Sequence, residues 1–121
     1  MNYFIVAFGG ALGSIIRYAI NQWLAPKNLS FPFATFLANV LSCLLLGFAL
    51  ALFSKSMINE RQRLFFVTGV CGGFSTFSTF ANETFQLFQT ENFILALANI
   101  VFNMLVCIIF LILGFKLVNL F

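Results

Sequence analysis

The sequence predicts an all-α membrane protein with four transmembrane helices. Of its 121 residues, 62% are hydrophobic and only 7% are charged, too few charges for the surface of a soluble globule. The mean hydropathy is +1.06. A helix that spans a bilayer needs about 20 apolar residues, and short polar breaks divide the chain into four such runs. Because these runs leave little chain over, we predict one transmembrane domain over residues 1–121.

Local signals set the ends of the spans. The four predicted spans cover residues 3–24, 33–53, 64–88 and 93–118. The loop after the first span contains Pro26, Asn28 and Ser30, which favour turns, and Pro32 suits a helix start. The second connection, residues 54–63, is the most polar stretch of the chain. The first run is too long for the hydrophobic region of a signal peptide, so we expect it to be retained as a span.

Charge and cysteine content argue against several classes of protein. The net charge of +3 comes from six basic and three acidic residues that are thinly spread, so nucleic acid is not an expected partner. The chain has no histidine, and Cys43, Cys71 and Cys107 lie in separate apolar runs without paired spacing. Neither disulfides nor a zinc site is therefore expected. Nothing in the sequence indicates an enzyme.

The distribution of basic residues predicts only a weak preference in orientation. Four spans place the N-terminus, the second connection and the C-terminus on one side of the membrane. The basic residues on that side are Lys55, Arg61, Arg63 and Lys116. The opposite loop has Lys27, and Arg17 near the far end of the first span offsets the bias. The positive-inside rule thus favours a cytoplasmic N-terminus weakly, and such a chain is able to insert both ways.

Small and polar residues recur within the spans at three- and four-residue intervals. Unmatched polar groups are expensive in lipid, so such rows are expected to face protein or water. Gly9 and Gly13 form a small-xxx-small pair, which predicts close helix packing. The other rows are Thr35, Asn39, Cys43 and Gly47 in the second span, and Asn99, Asn103 and Cys107 in the fourth. For the asparagines, interhelical hydrogen bonds and a water-filled path both remain open, and three amides on two spans favour the path.

Arg17 and Glu83 are charged residues that lie inside the spans, away from the last turn of each span. Full burial of the Arg17 charge would cost about 3 kcal/mol. Its side chain either snorkels to the interface or supplies a fixed positive charge that attracts anions into a vestibule. Glu83, near the end of the third span, is either a hydrogen-bonded structural acid or part of a transport path.

The stretch GVCGGFSTFSTF, residues 69–80, lies at the middle of the third span. Adjacent glycines such as Gly72 and Gly73 weaken a helix by about 1 kcal/mol each, and the hydroxyls that follow are able to bond to freed backbone groups. We therefore predict that the third helix is broken at mid-membrane. Unwound backbone at that depth must be satisfied by protein, water or an ion. The break is thus either a cation site or a packed kink without a ligand.

Phe77 and Phe80 lie on one side of the helix that follows the predicted break, with Ser78 and Thr79 between them. An aromatic ring has a positive edge, so ring edges in a narrow path favour a small anion without a trapping charge. Nearby hydroxyl groups would replace part of its water shell. Since four helices fill their own centre and leave no lumen, conduction would require an oligomer.

The chain resembles the small bacterial fluoride channels of the Fluc or CrcB family over nearly its whole length. The resemblance rests on GGALGSIIRY, residues 9–18, on FPFATFLANV, residues 31–40, and on GVCGGFSTFSTF. It implies an antiparallel homodimer of dual topology in the bacterial inner membrane, with two fluoride pathways at the dimer interface. It also implies passive fluoride export that lowers the cytoplasmic concentration.

The resemblance also implies roles for individual residues. Backbone carbonyls of Gly72 and Ser75 from both chains would hold a structural sodium ion on the two-fold axis, and Phe77 and Phe80 would line the pathways. The remaining implied roles fall to Asn39, Ser78 and Thr79 in the pathway, Arg17 in the vestibule and Glu83 as the family's acid. In the amide row of the fourth span, Asn103 is predicted to line the same path, at a place where family members often carry an aromatic or hydroxyl residue.

Two other functions are compatible with a small protein of four spans. Proton-coupled efflux transporters of the small multidrug type also use four spans and antiparallel dimers, but they need an acidic residue in the middle of the first span. This chain has none there. A non-transporting membrane scaffold would need packing faces, but neither a broken helix nor polar rows on three spans. The sequence therefore favours the channel.

Overall fold

The computed structural model describes residues 1–121 and is helical almost throughout. Four of its segments are long and apolar enough to cross a membrane, which confirms the predicted all-α, multi-pass architecture. In chain order the helices are α1 (Asn2–Leu24), α2 (Phe33–Ser54), α3 (Glu60–Arg63), the π-helix π1 (Leu64–Cys71), α4 (Gly72–Phe74), α5 (Phe77–Gln89) and α6 (Phe93–Leu117). The third span therefore consists of four consecutive segments, α3 to α5.

The third span begins at Glu60, earlier than the predicted start at residue 64. The Gln62 side chain accepts the backbone N–H of Asn59 at 2.9 Å, and the Asn59 side chain accepts the N–H of Gln62 at 3.0 Å. This reciprocal capping box satisfies N–H groups that the first helical turn leaves free. The hydrophilic composition of residues 54–63 predicts a loop between two spans, whereas the Asn-x-x-Gln pattern within it is the signal of a helix start.

Helix α1 packs closely against π1 and α4 through glycines on both sides. A Cβ atom added to Gly9 would lie 2.5 Å from the Phe65 carbonyl oxygen and 2.9 Å from the Cα of Gly69. At Gly13 an added Cβ would overlap the Val70 carbonyl in the same way. The two backbones touch directly, which confirms the packing role predicted for Gly9 and Gly13.

The most extensive interhelical contact joins α2 and α6. The Asn39 side-chain Nδ2 donates to Asn103 Oδ1 at 3.2 Å, across a separation of 64 positions. Two turns further on, Gly47 faces the Leu111 backbone so closely that a Cβ would overlap it, and this pair has the same separation. Because both contacting pairs are 64 positions apart in the sequence, α2 and α6 run in the same direction in a fixed register.

The backbone leaves the helical conformation between α4 and α5. Ser75 has φ −77° and ψ 154°, and Thr76 has φ −149° and ψ 121°, both extended. The Thr76 side chain then accepts the N–H of Thr79 at 3.3 Å, so Thr76 is the N-cap residue from which α5 begins.

The adjacent glycines of the motif are not the residues that unwind. Gly72 is helical, with φ −63° and ψ −37°, and Gly73 lies in the same helical turn. A Cβ at Gly73 would overlap the backbone of Gly10 on α1. The close approach of α1 therefore leaves no space for a side chain at Gly73. The extended residues are the hydroxyl residues that follow, Ser75 and Thr76.

Candidate ion pathway

A cavity of about 240 Å³ lies where the interruption of the third span meets α2 and α6. The residues that line it are Asn39, Cys43, Ser75, Thr76, Phe77, Phe80, Asn103, Met104 and Cys107. Four of the predicted pathway residues, Asn39, Phe77, Phe80 and Asn103, are thus brought together by three different spans. Ser78 and Thr79 do not line this cavity.

Two phenylalanine rings form one wall of the cavity. The ring centroids of Phe77 and Phe80 are 5.6 Å apart, and the ring planes are tilted by 51°. Phe80 is buried, whereas 75% of Phe77 is exposed on the surface of the single chain. Tilted rings present edges as well as faces, and the edges carry the positive end of the ring quadrupole. This wall is able to attract an anion without carrying a charge.

Asn39 connects the interrupted third span to α6. Its Oδ1 accepts the backbone N–H of Thr76 at 2.9 Å, and its Nδ2 donates to Asn103 Oδ1 at 3.2 Å. In a continuous helix the Thr76 N–H would bond to the carbonyl of Gly72. The amide of Asn39 therefore replaces the helical bond that the extended conformation removes.

The hydrogen bonds continue along α6 and return to α5. Asn103 Nδ2 donates to Asn99 Oδ1 at 2.8 Å, and Asn99 Nδ2 donates to Thr84 Oγ1 at 2.9 Å. The Thr84 hydroxyl then donates to the Phe80 carbonyl at 2.8 Å. The chain of hydrogen bonds from Thr76 through Asn39, Asn103, Asn99 and Thr84 to Phe80 is called the amide chain below.

The amide chain has a single direction. It starts at a backbone N–H, which only donates, and ends at a backbone carbonyl, which only accepts. Each asparagine between them therefore has one orientation that satisfies all the bonds. Asn39 uses one of its two amide N–H groups and lines the cavity. A second amide N–H of Asn39 is thus free to donate to an ion or water there.

For Asn39 and Asn103 the structure shows the interhelical hydrogen bond, and their role in a water-filled path stays a prediction. Asn39 and Asn103 make an interhelical hydrogen bond and also line the cavity. Asn99 is 1% exposed and serves only the hydrogen bonds. Thr84 is a further member of the amide chain that was not predicted; its signal in the sequence is a polar residue within a span, one helical turn after Phe80.

The hydroxyls between the two phenylalanines cluster around the N-cap of α5. The Thr76 hydroxyl lies 3.3 Å from Ser78 Oγ and donates to Thr79 Oγ1 at 3.2 Å. Ser78 is exposed and Thr79 is half-buried. They border the interruption rather than the cavity, so their pathway role remains a prediction.

Arg17 and Glu83 do not line the cavity. Glu83 Oε1 accepts the Thr35 hydroxyl at 2.8 Å, and Glu83 Oε2 is buried without a hydrogen-bond partner. The Arg17 side chain is half-buried and makes neither an ion pair nor a hydrogen bond within the chain. The vestibule role of Arg17 and the pathway role of Glu83 remain predictions.

The interruption leaves carbonyl oxygens without their helical partners, among them those of Gly72 and Ser75. The N–H of Thr76 bonds to Asn39 instead of Gly72, and the N–H of Thr79 bonds to the Thr76 hydroxyl instead of the Ser75 carbonyl. Gly72 is exposed, and no atom lies within 4 Å of a Cβ built on it. Free carbonyl oxygens suit hard cations, so these two residues fit the predicted sodium ligands.

The chain matches a family model described as "CrcB-like protein, Camphor Resistance (CrcB)" over residues 4–115. The chain belongs to the CrcB family. The matched range includes nearly all of the four spans and every residue of the cavity wall, which confirms the resemblance found in the sequence motifs.

Relatives of this CrcB protein carry the name "Fluoride-specific ion channel FluC". The relative from Elusimicrobium minutum is 43% identical over 116 residues, which cover 94% of this chain and 90% of the relative. The relative from Azobacteroides pseudotrichonymphae is 36% identical over 120 residues, covering 98% and 96%. The relative from Clostridium perfringens is 39% identical over 116 residues, covering 93% and 90%.

Proposed function

We propose that this CrcB protein is a fluoride-selective channel that exports fluoride passively and so lowers its cytoplasmic concentration. The observation that carries the proposal is the similarity along nearly the whole chain to relatives named as fluoride-specific channels. The cavity supports it independently, because its wall combines aromatic ring edges with a free amide N–H.

The chemistry of the cavity suits a small anion in transit. Phe77 and Phe80 supply positive ring edges, and the free N–H of Asn39 supplies a hydrogen-bond donor in place of lost water. No charged side chain lines the cavity, so an anion meets partial charges rather than a full counter-ion. Conduction requires binding that is strong enough to admit an ion and weak enough to release it.

The membrane potential supplies the driving force. An inside-negative potential favours the outward movement of an anion by about 2.3 kcal/mol per elementary charge for each 100 mV. Export of fluoride down this gradient needs no coupled ion and no chemical step. The chain therefore acts as a channel and not as an enzyme.

We further propose that two copies assemble antiparallel in the bacterial inner membrane, with the interruption at mid-membrane. The cavity is open on the single chain, and the ring of Phe77 is largely exposed beside it, so a second copy would complete the walls. The weak charge bias permits both orientations. Reporters on the C-terminus should be active on both sides of the membrane, whereas activity on one side only would contradict dual topology.

The sodium ion is proposed at the contact between the two interruptions. The freed carbonyls of Gly72 and Ser75 in each copy would hold it, and the ion would offset the partial negative charges of these oxygens. Replacement of sodium by a large organic cation should shift the purified protein from dimer to monomer in size-exclusion chromatography. A dimer that survives complete sodium removal would contradict this role.

Fluoride efflux from liposomes tests the function directly. Vesicles loaded with potassium fluoride and treated with valinomycin should release fluoride rapidly, as measured with a fluoride electrode, and vesicles loaded with potassium chloride should not release chloride. A requirement for a proton gradient, or equal chloride release, would contradict the proposal.

Phe80→Ile tests the aromatic wall. It should lower the efflux rate about tenfold or more, because it removes a ring edge from the path. Phe88→Ile is the matched control, since Phe88 lies on the same helix but not in the cavity wall. Equal rates for both variants would remove Phe80 from the pathway.

A further inference from the structure

Two thiols come together in the wall of the cavity. Cys43 lies one helical turn after Asn39 on α2, and Cys107 lies one turn after Asn103 on α6. The fixed register of these parallel helices pairs Asn39 with Asn103 before the thiols and Gly47 with Leu111 after them. Cys43 and Cys107 have the same separation, so they are paired between two observed contacts. Both cysteines line the same cavity.

This pairing differs from the expectation of isolated cysteines. Both thiols are half-buried and line the cavity, so they are reachable from the proposed pathway. Cys71 differs in both respects, because it is buried outside the cavity wall and its thiol contacts the Ser42 carbonyl at 3.7 Å. The chain thus contains one accessible thiol pair and one sequestered thiol.

A third sulfur atom belongs to the same wall. Met104 lines the cavity and lies three residues before Cys107 on α6, a spacing that places two side chains on one helix face. No histidine, aspartate or glutamate lines the cavity. The chain also has no cluster of three or more His, Cys, Asp or Glu side chains that could hold a metal ion of higher coordination number. The donor set is therefore sulfur only.

We propose that Cys43 and Cys107 form a binding site for a soft monovalent cation with a filled d shell, such as Ag⁺ or Cu⁺, and that the bound cation closes the pathway. Soft thiolate and thioether ligands select such cations over hard ones, and two thiolates satisfy their preference for low coordination numbers. Met104 offers a further thioether ligand from the same wall. The closure half of the proposal rests on the proposed fluoride channel.

The binding step is balanced by the release of protons. One Ag⁺ and two thiols give a bis-thiolate silver complex with a charge of −1 and two protons in solution. The complex occupies the cavity that holds the ring edges and the Asn39 amide. Its negative charge also repels an approaching anion. Both effects lower fluoride flux.

Calorimetric titration of the purified protein with silver nitrate, in chloride-free buffer, tests the site without reference to transport. We expect one Ag⁺ per chain to bind tightly. Cys43→Ser and Cys107→Ser should each weaken binding about 100-fold or more, because a second ligand on the same protein acts at high effective concentration. Cys71→Ser is the control and should leave this binding unchanged. Equal affinity in all three variants would overturn the site.

Fluoride efflux tests closure with the same proteins. Each variant is first assayed without silver, which verifies that it is folded and conducts, and Cys43→Ala and Cys107→Ala replace any serine variant that fails this check. Relative to each protein's own rate without silver, silver nitrate should lower efflux through the unmodified protein and Cys71→Ser about tenfold or more. It should leave the rates of Cys43→Ser and Cys107→Ser at their own silver-free values, whatever those are. Tight binding without a loss of efflux would overturn closure. If the unmodified protein shows no efflux before silver is added, the proposed channel function is refuted. The calorimetric titration would still decide whether the silver site exists.

Discussion

The two halves of the third span differ in composition and in how they contact their neighbours. Before the interruption, π1 and α4 contact α1 through backbone atoms, with Gly69 against Gly9 and Gly73 against Gly10. After the interruption, α5 makes its main contact with α6, and side chains carry it, notably the bond between Asn99 and Thr84. Direct contact between backbones holds the first half in place, and hydrogen bonds between polar side chains hold the second.

This difference separates anchoring from the proposed ion contact within one span. The α5 half is called the ion-facing half below because that role is proposed for it. Backbone contact between glycines leaves no space for water or ions, so π1 and α4 fix the position of the third span against α1. The α5 half places the rings of Phe77 and Phe80 in the wall of the cavity. Ser75 and Thr76 lie between the two halves, so the position of the anchor determines where the freed carbonyls and the ring wall face.

The anchoring half should be the more sensitive to added volume. Gly13→Ala places a methyl group against the Val70 carbonyl and 2.7 Å from the Phe74 nitrogen, neither of which is a flexible side-chain atom. We expect destabilisation of about 3 kcal/mol or more, because overpacking against backbone forces the helices apart. The measurement is the midpoint of thermal unfolding in detergent, together with the yield of monodisperse protein.

Gly10→Ala is the matched control for this substitution. A Cβ at Gly10 meets only the Gly69 carbonyl oxygen, at the ordinary contact distance of 3.9 Å, so its unfolding midpoint should stay close to that of the unmodified protein. Similar midpoints for the Gly10 and Gly13 variants would show that backbone contact does not anchor this half.

The ion-facing half should be more sensitive to the loss of a polar group. Asn39→Ala removes the acceptor of the Thr76 N–H and the donor to Asn103. We expect a loss of about 1–3 kcal/mol for each buried group left unpaired, and a fluoride efflux rate lower by about tenfold. The fluoride electrode assay in liposomes measures this rate.

Asn21→Ala is the control for Asn39→Ala. The Asn21 amide makes only a local bond, to the Arg17 carbonyl one turn earlier at 3.2 Å, so its removal leaves no interhelical group unpaired. Efflux through this variant should remain near that of the unmodified protein. Equal losses in the two variants would mean that any amide within a span matters, and not the one that bonds the interruption.

The same contrast explains how much the sequence was able to predict. Apolar runs and turn residues gave the second span as residues 33–53, and α2 is Phe33–Ser54. The spacing of Gly9 and Gly13 indicated their packing because small-xxx-small pairs depend on one helix face alone. Asn39 and Asn103 were likewise marked by being polar within lipid-exposed runs.

What the sequence did not indicate depends on contacts between distant segments. The amide chain needs Thr84 to reach Asn99 on another helix, and the thiol pair needs the register of α2 on α6, which no local pattern encodes. The π-helical turns of Leu64–Cys71 also lack a local signal, since their residues have the apolar composition of any span. The glycine pair of the motif was expected to unwind, but contact with α1 keeps Gly73 helical.

The far end of the amide chain should show the smallest effect, and a double-mutant cycle is needed to measure it. Thr84→Val keeps the shape of the side chain but removes both its bond to Asn99 and its bond to the Phe80 carbonyl. Combined with Asn99→Ala, it should give a coupling energy of about 0.6 kcal/mol in unfolding experiments, the average for side-chain hydrogen bonds between membrane helices. Thr90→Val with Asn99→Ala is the control cycle, because the exposed Thr90 hydroxyl bonds only within its own turn. If the effects of Thr84→Val and Asn99→Ala on the free energy of unfolding are additive, the polar contact between α5 and α6 does not hold the ion-facing half in place. The two halves of the third span would then differ at the cavity alone.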